Sequence, residues 1–525
     1  MDLQILRSDS RVRWAVVAKI MVLSLLTACG LNQTAVAQQP PRFEVTLAKE
    51  LTQENLNGRL FVYLSKHADP PPMFGPNWFA PEPFFGMNVS DWKPGTSKMV
   101  GDSADACPTR LSELAAGKYF AQAILDHEFY SANPYAGAGN FHSEVIPIEW
   151  DPQAVKPITL SLTQTIPPRV IPQSDWIKLV EIESELLSDF FHRPVKEQAV
   201  VILPESYYDQ PDKRYPVNYI VSGFGGSLPE VARQYSKSAA HGVPRGTDQE
   251  VEWIRVLLSG ECKWGHHVYA NSATNGPRGD CLITEMIPQI DQQFRTIEQM
   301  RARFVSGHSS GGWSSLWLQV NYPDTFGAVF STAPDPVDFR DYQQVNLYAI
   351  PPQSLYFDAE DQPRPLARMR GRVIIRYPDF ARMDDTMGRG GQLRSFEAVF
   401  SPLDQTGLPA KLWDRQTGRI DLEIAEAWKN YDIQLLLKEN WQELAPKLAG
   451  KIHVSMGTLD TFYLEGATRL LKESLLQLGS DAEITLVEGA DHGSIASPEL
   501  QQQEAIKMAR KYLEYFEDDG KPREN

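Results

Sequence analysis

The 525-residue chain is poor in cysteine, with only 4, and has no C-x-x-C pair. A disulfide scaffold is thereby excluded, and no zinc-site spacing is present. Cations are also short: 51 Lys and Arg face 67 Asp and Glu, a formal net charge of −16. Such a field repels phosphate backbones and anionic lipid, so neither nucleic acid nor a membrane surface is an expected partner. Beyond the N-terminal segment there is no long uncharged apolar stretch, so no spanning helix is expected. Internal repeats and low-complexity tracts are missing as well. What remains is ordinary globular composition in a length that calls for two or more domains.

The N-terminus reads as a targeting segment. Arg7, Arg11, Arg13 and Lys19 precede an apolar run from Ile20 to Ala28, the charge order of a secretory signal. Ala35-Val36-Ala37 fits an ordinary cleavage site, which makes 1–37 a signal peptide and the mature protein periplasmic or secreted. Leu26-Thr27-Ala28-Cys29 competes as a lipobox, in which Cys29 would carry a lipid anchor. Both readings export the protein. Export permits a disulfide. Cys262 and Cys281 flank a Gly/Asn-rich loop and can staple it; the alternative is three buried thiols, with Cys107 the third.

Two architectures follow one another. Over 40–170, Phe43-Val45-Leu47, Leu60-Val62-Leu64, Tyr119-Ala121-Ala123 and Ile158-Leu160-Leu162 alternate with period two and no helical stripe intervenes, which predicts a small β-sandwich. A Pro/Gly/aromatic segment, Pro70 to Gly95, lies between these runs, and Pro167-Pro168 and Pro172 mark a linker. From Trp176 to the end, strand runs such as Ala199–Leu203, Val217–Val221, Arg303–Val305 and Ala328–Phe330 alternate with helical stretches. Ile452–Val454 and Ile484–Val487 continue the pattern, which is that of an α/β domain with a mainly parallel sheet. An irregular stretch at about 338–448 interrupts the rhythm and reads as an insertion, a cap or extended excursion.

Gly307-His308-Ser309-Ser310-Gly311 matches G-x-S-x-G between a strand and a helix. There the serine occupies a sharp turn and projects its hydroxyl, and neighbours two residues away must lack Cβ. A serine needs a base. His492, in the loop after the strand ending at Val487, occupies the slot for it. The acid is read as Asp460, after Ile452–Ser455, with Asp335, after Ala328–Phe330, as the competitor. An oxyanion hole needs two backbone donors. Ser310 N–H is one; the other is expected from Ser222-Gly223-Phe224-Gly225-Gly226-Ser227, with Phe224 ahead of Gly225.

Several of these segments resemble the putative esterase (esterase D-like) family of α/β-hydrolases: Val201–Pro204, Tyr215–Gly226, Asn275–Asp280, Glu285–Pro288, the serine motif, and Tyr322–Gly327. The resemblance covers about 197–334 and 451–494 and implies an α/β-hydrolase fold with Ser309, Asp460 and His492 as a triad. The family spans enterochelin, feruloyl and other carbohydrate esterases, S-formylglutathione hydrolases and mycolyl transferases. One departure concerns the oxyanion loop, where the family usually places a histidine before the glycine and this chain has Ser222.

Other features invite simpler readings. Gly265-His266-His267 offers adjacent imidazoles that point apart along an extended chain, which suits loop packing or support of the site better than a metal. Met73 to Gly86 is a candidate sugar-stacking platform but reads first as a domain contact. Arg340, Arg364, Arg368, Arg370 and Arg389 are expected to be solvated or ion-paired, and Glu514, Glu517, Asp518 and Asp519 a solvated end. The expectation is an exported serine esterase using no cofactor or metal, acting on a small-molecule or carbohydrate-linked ester. Acyl transfer on the same triad and a non-catalytic binding protein of the same fold are the alternatives.

Overall fold

The computed structural model describes residues 42–128, 131–236 and 251–516. The signal segment 1–37 with Cys29, and the tail residues Glu517, Asp518 and Asp519, lie outside the described residues. Nine strands open the chain: β1 (Phe43–Leu47), β2 (Leu56–Ser65), β3 (Phe84–Trp92), β4 (Ser97–Val100), β5 (Asp105–Cys107), β6 (Gly117–Asp126), β7 (Phe141–Ser143), β8 (Ile146–Trp150) and β9 (Ile158–Thr165). They hydrogen-bond in the order 4-1-9-7-6-2-3-5, with β8 also on β6. Only β1 and β9 run parallel. Strands far apart in that order share one core; Phe43 of β1 stacks on Trp150 of β8 with centroids 5.6 Å apart. The sheet therefore curls round its own apolar interior. The Pro/Gly/aromatic segment is less irregular than its composition suggests, because Phe84–Trp92 pairs with β2.

β2 and β6 set how this sheet meets the rest of the chain. On β2, Leu60, Val62 and Leu64 enter the sheet's own core, whereas Phe61 and Tyr63 enter the core of the following domain. β6 splits in the same way, Leu125 on one side and Ile124 on the other. Strand geometry sends alternate side chains to opposite faces, so two buried faces require two partners. Polar ties reinforce the joint. Arg59, 6% exposed, pairs with Asp105 at 2.6 Å and donates to the Thr386 carbonyl at 2.7 Å, and Arg389 pairs with Asp126. The described residues form one compact unit.

The second sheet has eight strands: β10 (Ile177–Glu183), β11 (Lys196–Ile202), β12 (Val217–Val221), β13 (Ile254–Leu258), β14 (Arg303–His308), β15 (Ala328–Thr332), β16 (Ile452–Gly457) and β17 (Glu483–Val487). Their order is 10-11-13-12-14-15-16-17. β11 runs antiparallel to both its neighbours, and the others are parallel. This is an α/β-hydrolase fold preceded by a β-rich region. Helix α1 (Ser310–Asn321) leaves β14 and is buried on every side up to Val320. A helix apolar all round needs cover on all faces, and residues between β15 and β16 supply it: Trp313 meets Phe400 and Trp317 meets Tyr431. Those residues fold into a hairpin (Pro365–Met369 with Arg372–Arg376), α2 (Tyr377–Met387), α3 (Gln392–Phe400) and two further helices, Leu422–Trp428 and Ile433–Leu448.

Cys107, Cys262 and Cys281 are free and buried, so the stapled alternative for Cys262 and Cys281 is not the one adopted. Burial pushes the thiols up, Cys262 to about 11 and Cys281 to about 12, which keeps them inert. Among the described residues no helix is long and apolar enough to cross a membrane.

Because Phe61 fills the joint between the two sheets, Phe61→Ala is expected to cost about 3–5 kcal/mol of stability in urea unfolding. Val170→Ala, at a residue 74% exposed, should change it by less than about 0.5 kcal/mol.

Candidate active site

Ser309 sits where β14 hands over to α1, at φ 61° and ψ −126°. Sterics force the glycines around it. A Cβ on Gly307 would stand 2.2 Å from the Gly311 carbonyl oxygen, and one on Gly311 would stand 2.1 Å from that of Val221. Neither position can take a side chain. Ser309 N–H donates to the Thr332 carbonyl at 3.0 Å, which fixes the corner to β15. Ser310 follows as the first residue of α1, so its amide belongs to the unbonded first turn.

His492 lies in a turn after β17. Asp491 holds that turn by accepting from Ser494 N–H at 2.8 Å and Gly493 N–H at 3.2 Å. His492 Nδ1–H donates to Asp460 Oδ2 at 2.7 Å, leaving Nε2 free of that bond. Asp460 is wholly buried, and its other oxygen accepts from Phe462 N–H at 2.8 Å. Burial opposes charging of His492, but the Asp460 bond and charge, with Asp335 and Asp491 adding to them, outweigh it and hold the imidazole above its ordinary 6.5. Two braces escaped the sequence reading. His308 Nε2–H donates to the His492 carbonyl at 2.9 Å, tying the serine corner to the base loop. Desolvation, helped by the His492 charge, pushes His308 down to about 4 and keeps it neutral. Arg368 donates to the Asp460 carbonyl at 3.0 Å while paired with Glu465 at 2.6 Å. Among the arginines expected to be solvated or ion-paired, Arg340 pairs with Asp338 and Arg389 with Asp126.

The loop after β12 lies against Ser309: a Cβ on Gly223 would be 3.1 Å from the His308 carbonyl oxygen and 3.4 Å from Ser309 Cβ. Gly225 makes the turn at φ 79°. Phe224 faces the cavity in front of Ser309; Gly225 is outside its lining. Position 222, a serine here, is bonded by a histidine from elsewhere in the chain. His266 Nε2–H donates to the Ser222 carbonyl at 2.9 Å, and its Nδ1 accepts from Val268 N–H at 3.1 Å. Those two partners fix one tautomer, and burial holds the ring at about 4 and therefore neutral. His267 instead accepts from Tyr269 N–H. Among the described residues no group of three or more His, Cys, Asp or Glu stands together as a metal site.

Ser309 and His492 line one cavity of about 290 Å³. Its walls come from three parts of the chain. The β-rich region sends Trp78, whose ring meets Phe224 at 5.4 Å and Phe380 at 5.3 Å. The 338–448 stretch supplies Phe380, Gln392 and Phe396. The core hydrolase fold supplies Phe462, whose ring stands edge-on to His492 at 5.0 Å. The Met73–Gly86 segment is thus both a domain contact and a wall of this cavity. Asp335, the competing acid, lines it too but does not reach His492 Nδ1; it accepts from Ser310 Oγ–H at 2.5 Å. Chemically, the arrangement offers a serine hydroxyl, an imidazole oriented by a carboxylate, and amides of two loops at the mouth of an apolar pocket.

A family described as "Putative esterase" matches residues 194–475, more than half of the chain, a span that includes Ser309 and Asp460 and stops short of His492. No curated protein matches the sequence. Solved structures similar to it include a ferulic acid esterase, 14% identical over 64% of this chain and 99% of its own, with a TM-score of 0.37. A fluorophosphonate-binding serine hydrolase of Staphylococcus aureus is 14% identical over 64% and 98%, TM-score 0.38. An S-formylglutathione hydrolase from Agrobacterium tumefaciens is 15% identical over 64% and 95%, TM-score 0.36.

His266→Phe is expected to leave the part-buried Ser222 carbonyl without its partner and to lower stability by about 1–3 kcal/mol, read by thermal or urea unfolding. His67→Phe, at an exposed histidine, is the control and should be near neutral.

Proposed function

Since the chain belongs to the "Putative esterase" family and is a carboxylic ester hydrolase, we propose that it works as an exported serine esterase through an acyl-enzyme. The observation that carries this reading is the alignment of Ser309 and His492 on one cavity, with His492 hydrogen-bonded to a wholly buried Asp460 at 2.7 Å. Ser309 Oγ attacks the ester carbonyl while His492 Nε2 takes its proton. Asp460 keeps Nδ1 protonated and stabilises the imidazolium without taking the proton itself. The negative oxygen of the tetrahedral intermediate receives the N–H groups of Ser310 and Phe224, with Gly225 the alternative second donor. Collapse expels the alcohol, protonated by His492, and water activated by the same imidazole then releases the acid. The chemistry balances with the ester and water alone, so it calls for no cofactor or metal.

The substrate is a small-molecule ester. Export is supported by the basic residues ahead of Ile20–Ala28 and by Ala35-Val36-Ala37, with Cys29 as the alternative processing point. Nucleic acid and anionic membrane remain unsuited partners for a chain of net charge −16.

Hydrolysis of p-nitrophenyl esters of short and aromatic acids by the protein, beside Ser309→Ala, tests the reading. Turnover is expected to fall by about 10⁴-fold or more in the variant; equal turnover in both would remove Ser309 as nucleophile. The pH profile supplies a second test. The base must be neutral and its pKa is raised, so the acid limb of kcat/KM should be centred above pH 6.5, with activity lost as pH falls through it. Asp460→Asn removes the principal source of that rise and should lower kcat by about 10⁴-fold. An acid limb below 6.5 would contradict the role given to Asp460.

A further inference from the structure

Resting on the esterase reading, we propose that Asp335 is a specificity residue of the same cavity, and that the protein's ester carries a hydrogen-bond donor, a hydroxyl or an ammonium, which the Asp335 carboxylate receives beside the nucleophile. The rest of that substrate is mainly apolar, because the rings of Trp78, Phe224, Phe380, Phe396 and Phe462 make up much of the wall, beside Gln343 and Gln392.

The position of Asp335 is set by the fold. It follows β15 three residues after Thr332, whose carbonyl holds the Ser309 amide, and its own amide lies 3.4 Å from the Ser309 carbonyl. The side chain therefore opens onto the cavity next to the reacting serine. It is not a second triad acid, since Asp460 already occupies His492 Nδ1.

What distinguishes this carboxylate is that it receives little while lining the cavity beside Ser309. An ionised carboxylate offers about four acceptor sites. Among the described residues Asp335 takes one neutral donor, the Ser310 hydroxyl at 2.5 Å, which Gln392 Nε2–H backs at 3.2 Å. Several other buried carboxylates of this chain are better met; Asp384, which does not line this cavity, also receives little, a single amide from Arg394 at 2.9 Å. Asp338 holds Arg340, Asp126 holds Arg389, and Asp460 takes His492 and a backbone amide. Burying a charge without such partners is costly. Asp335 bears that cost openly: burial raises its pKa to about 6, only partly offset by the Ser310 bond and the nearby His492. Near neutrality it is ionised, desolvated and under-bonded, and one free acceptor faces the space where substrate must sit. A substrate donor in that place satisfies it, whereas an ester lacking the donor excludes water from the carboxylate and leaves it unpaired. A site of this kind discriminates steeply against the analogue that lacks the group.

The test uses matched esters that differ only in the donor, on the acyl side (p-nitrophenyl 3-hydroxybutanoate against butanoate) and on the alcohol side (2-hydroxyethyl and 2-aminoethyl against propyl benzoate). kcat/KM is measured for the protein, Asp335→Asn and Ser309→Ala. At least one donor-bearing ester should be preferred by about tenfold or more in the wild type, and that preference should shrink to about twofold or less in Asp335→Asn. The hydroxyl and ammonium arms separate the two donor types. A wild-type panel flat in every pair, or a preference unchanged in Asp335→Asn, overturns the proposal. The wild-type panel needs no variant, and Asp335→Ser replaces Asp335→Asn should the latter not fold. Labelling of Ser309 by a fluorophosphonate separates the two failures. Labelling with flat preferences sinks Asp335 alone, while absence of both labelling and turnover sinks the esterase reading and this proposal with it.

Discussion

There is no room for a side chain at the positions two residues before and two residues after Ser309, and most of the molecule's arrangement follows from that crowding. Gly307 and Gly311 approach each other and the Val221 carbonyl so closely that a Cβ at either would overlap backbone. The approach brings the N-terminal turn of α1 against the ends of β12 and β15. It thereby sets the loop after β12, the serine corner and the loop after β15 side by side. Gly312, whose Cβ would lie 2.6 Å from the Thr332 carbonyl oxygen, extends the same close packing by another residue. The backbone strain at Ser309 is held by the surrounding ladder rather than by the serine itself.

A helix pressed this far into the sheet is covered on all sides, and that requirement explains the 338–448 stretch. Phe400 and Tyr431 close over the tryptophans of α1, while Phe380, Gln392 and Phe396 from the same stretch reach the cavity. The β-rich region is bound in by a similar demand. Its strands β2 and β6 bury apolar side chains on both faces, so one face must lie against the hydrolase domain. Trp78 arrives at Phe224 as a consequence. The first region is therefore part of the pocket's construction, because the interface that stabilises it also fixes a wall beside Phe224.

How much of this is legible in the sequence depends on how local its cause is. The turn at Ser309 is legible because the sterics act within five residues, and Asp460 and His492 could be named because each follows a strand that announces itself by apolar runs. β2 alternates openly, yet its second buried face shows only as the absence of polar residues between Leu60 and Leu64. β13 went unread since Ile254–Leu258 is a short apolar run that periodicity cannot tell from a helix segment. His266, His308 and Arg368 could not be assigned for a different reason. Each acts on a backbone carbonyl at least 44 positions away in the chain, and no residue pattern records which carbonyl a folded chain will bring near. Ser222 illustrates the point: its carbonyl is bonded by His266, and nothing in the residues around position 222 records that partner.

Asp460 and Asp335 show how one residue type takes two duties. Both are buried beside His492, and Asp335 was the plausible rival for the role of acid. Geometry separates them. Asp460 faces Nδ1 and two backbone amides, at 2.8 and 3.4 Å, so its charge is met on all sides and serves to orient a cation. Asp335 meets a hydroxyl and an open cavity, so its charge remains available. In a site of low dielectric an unmet charge acts on whatever enters. It raises His492, as Asp460 does more strongly, and it also faces the open cavity.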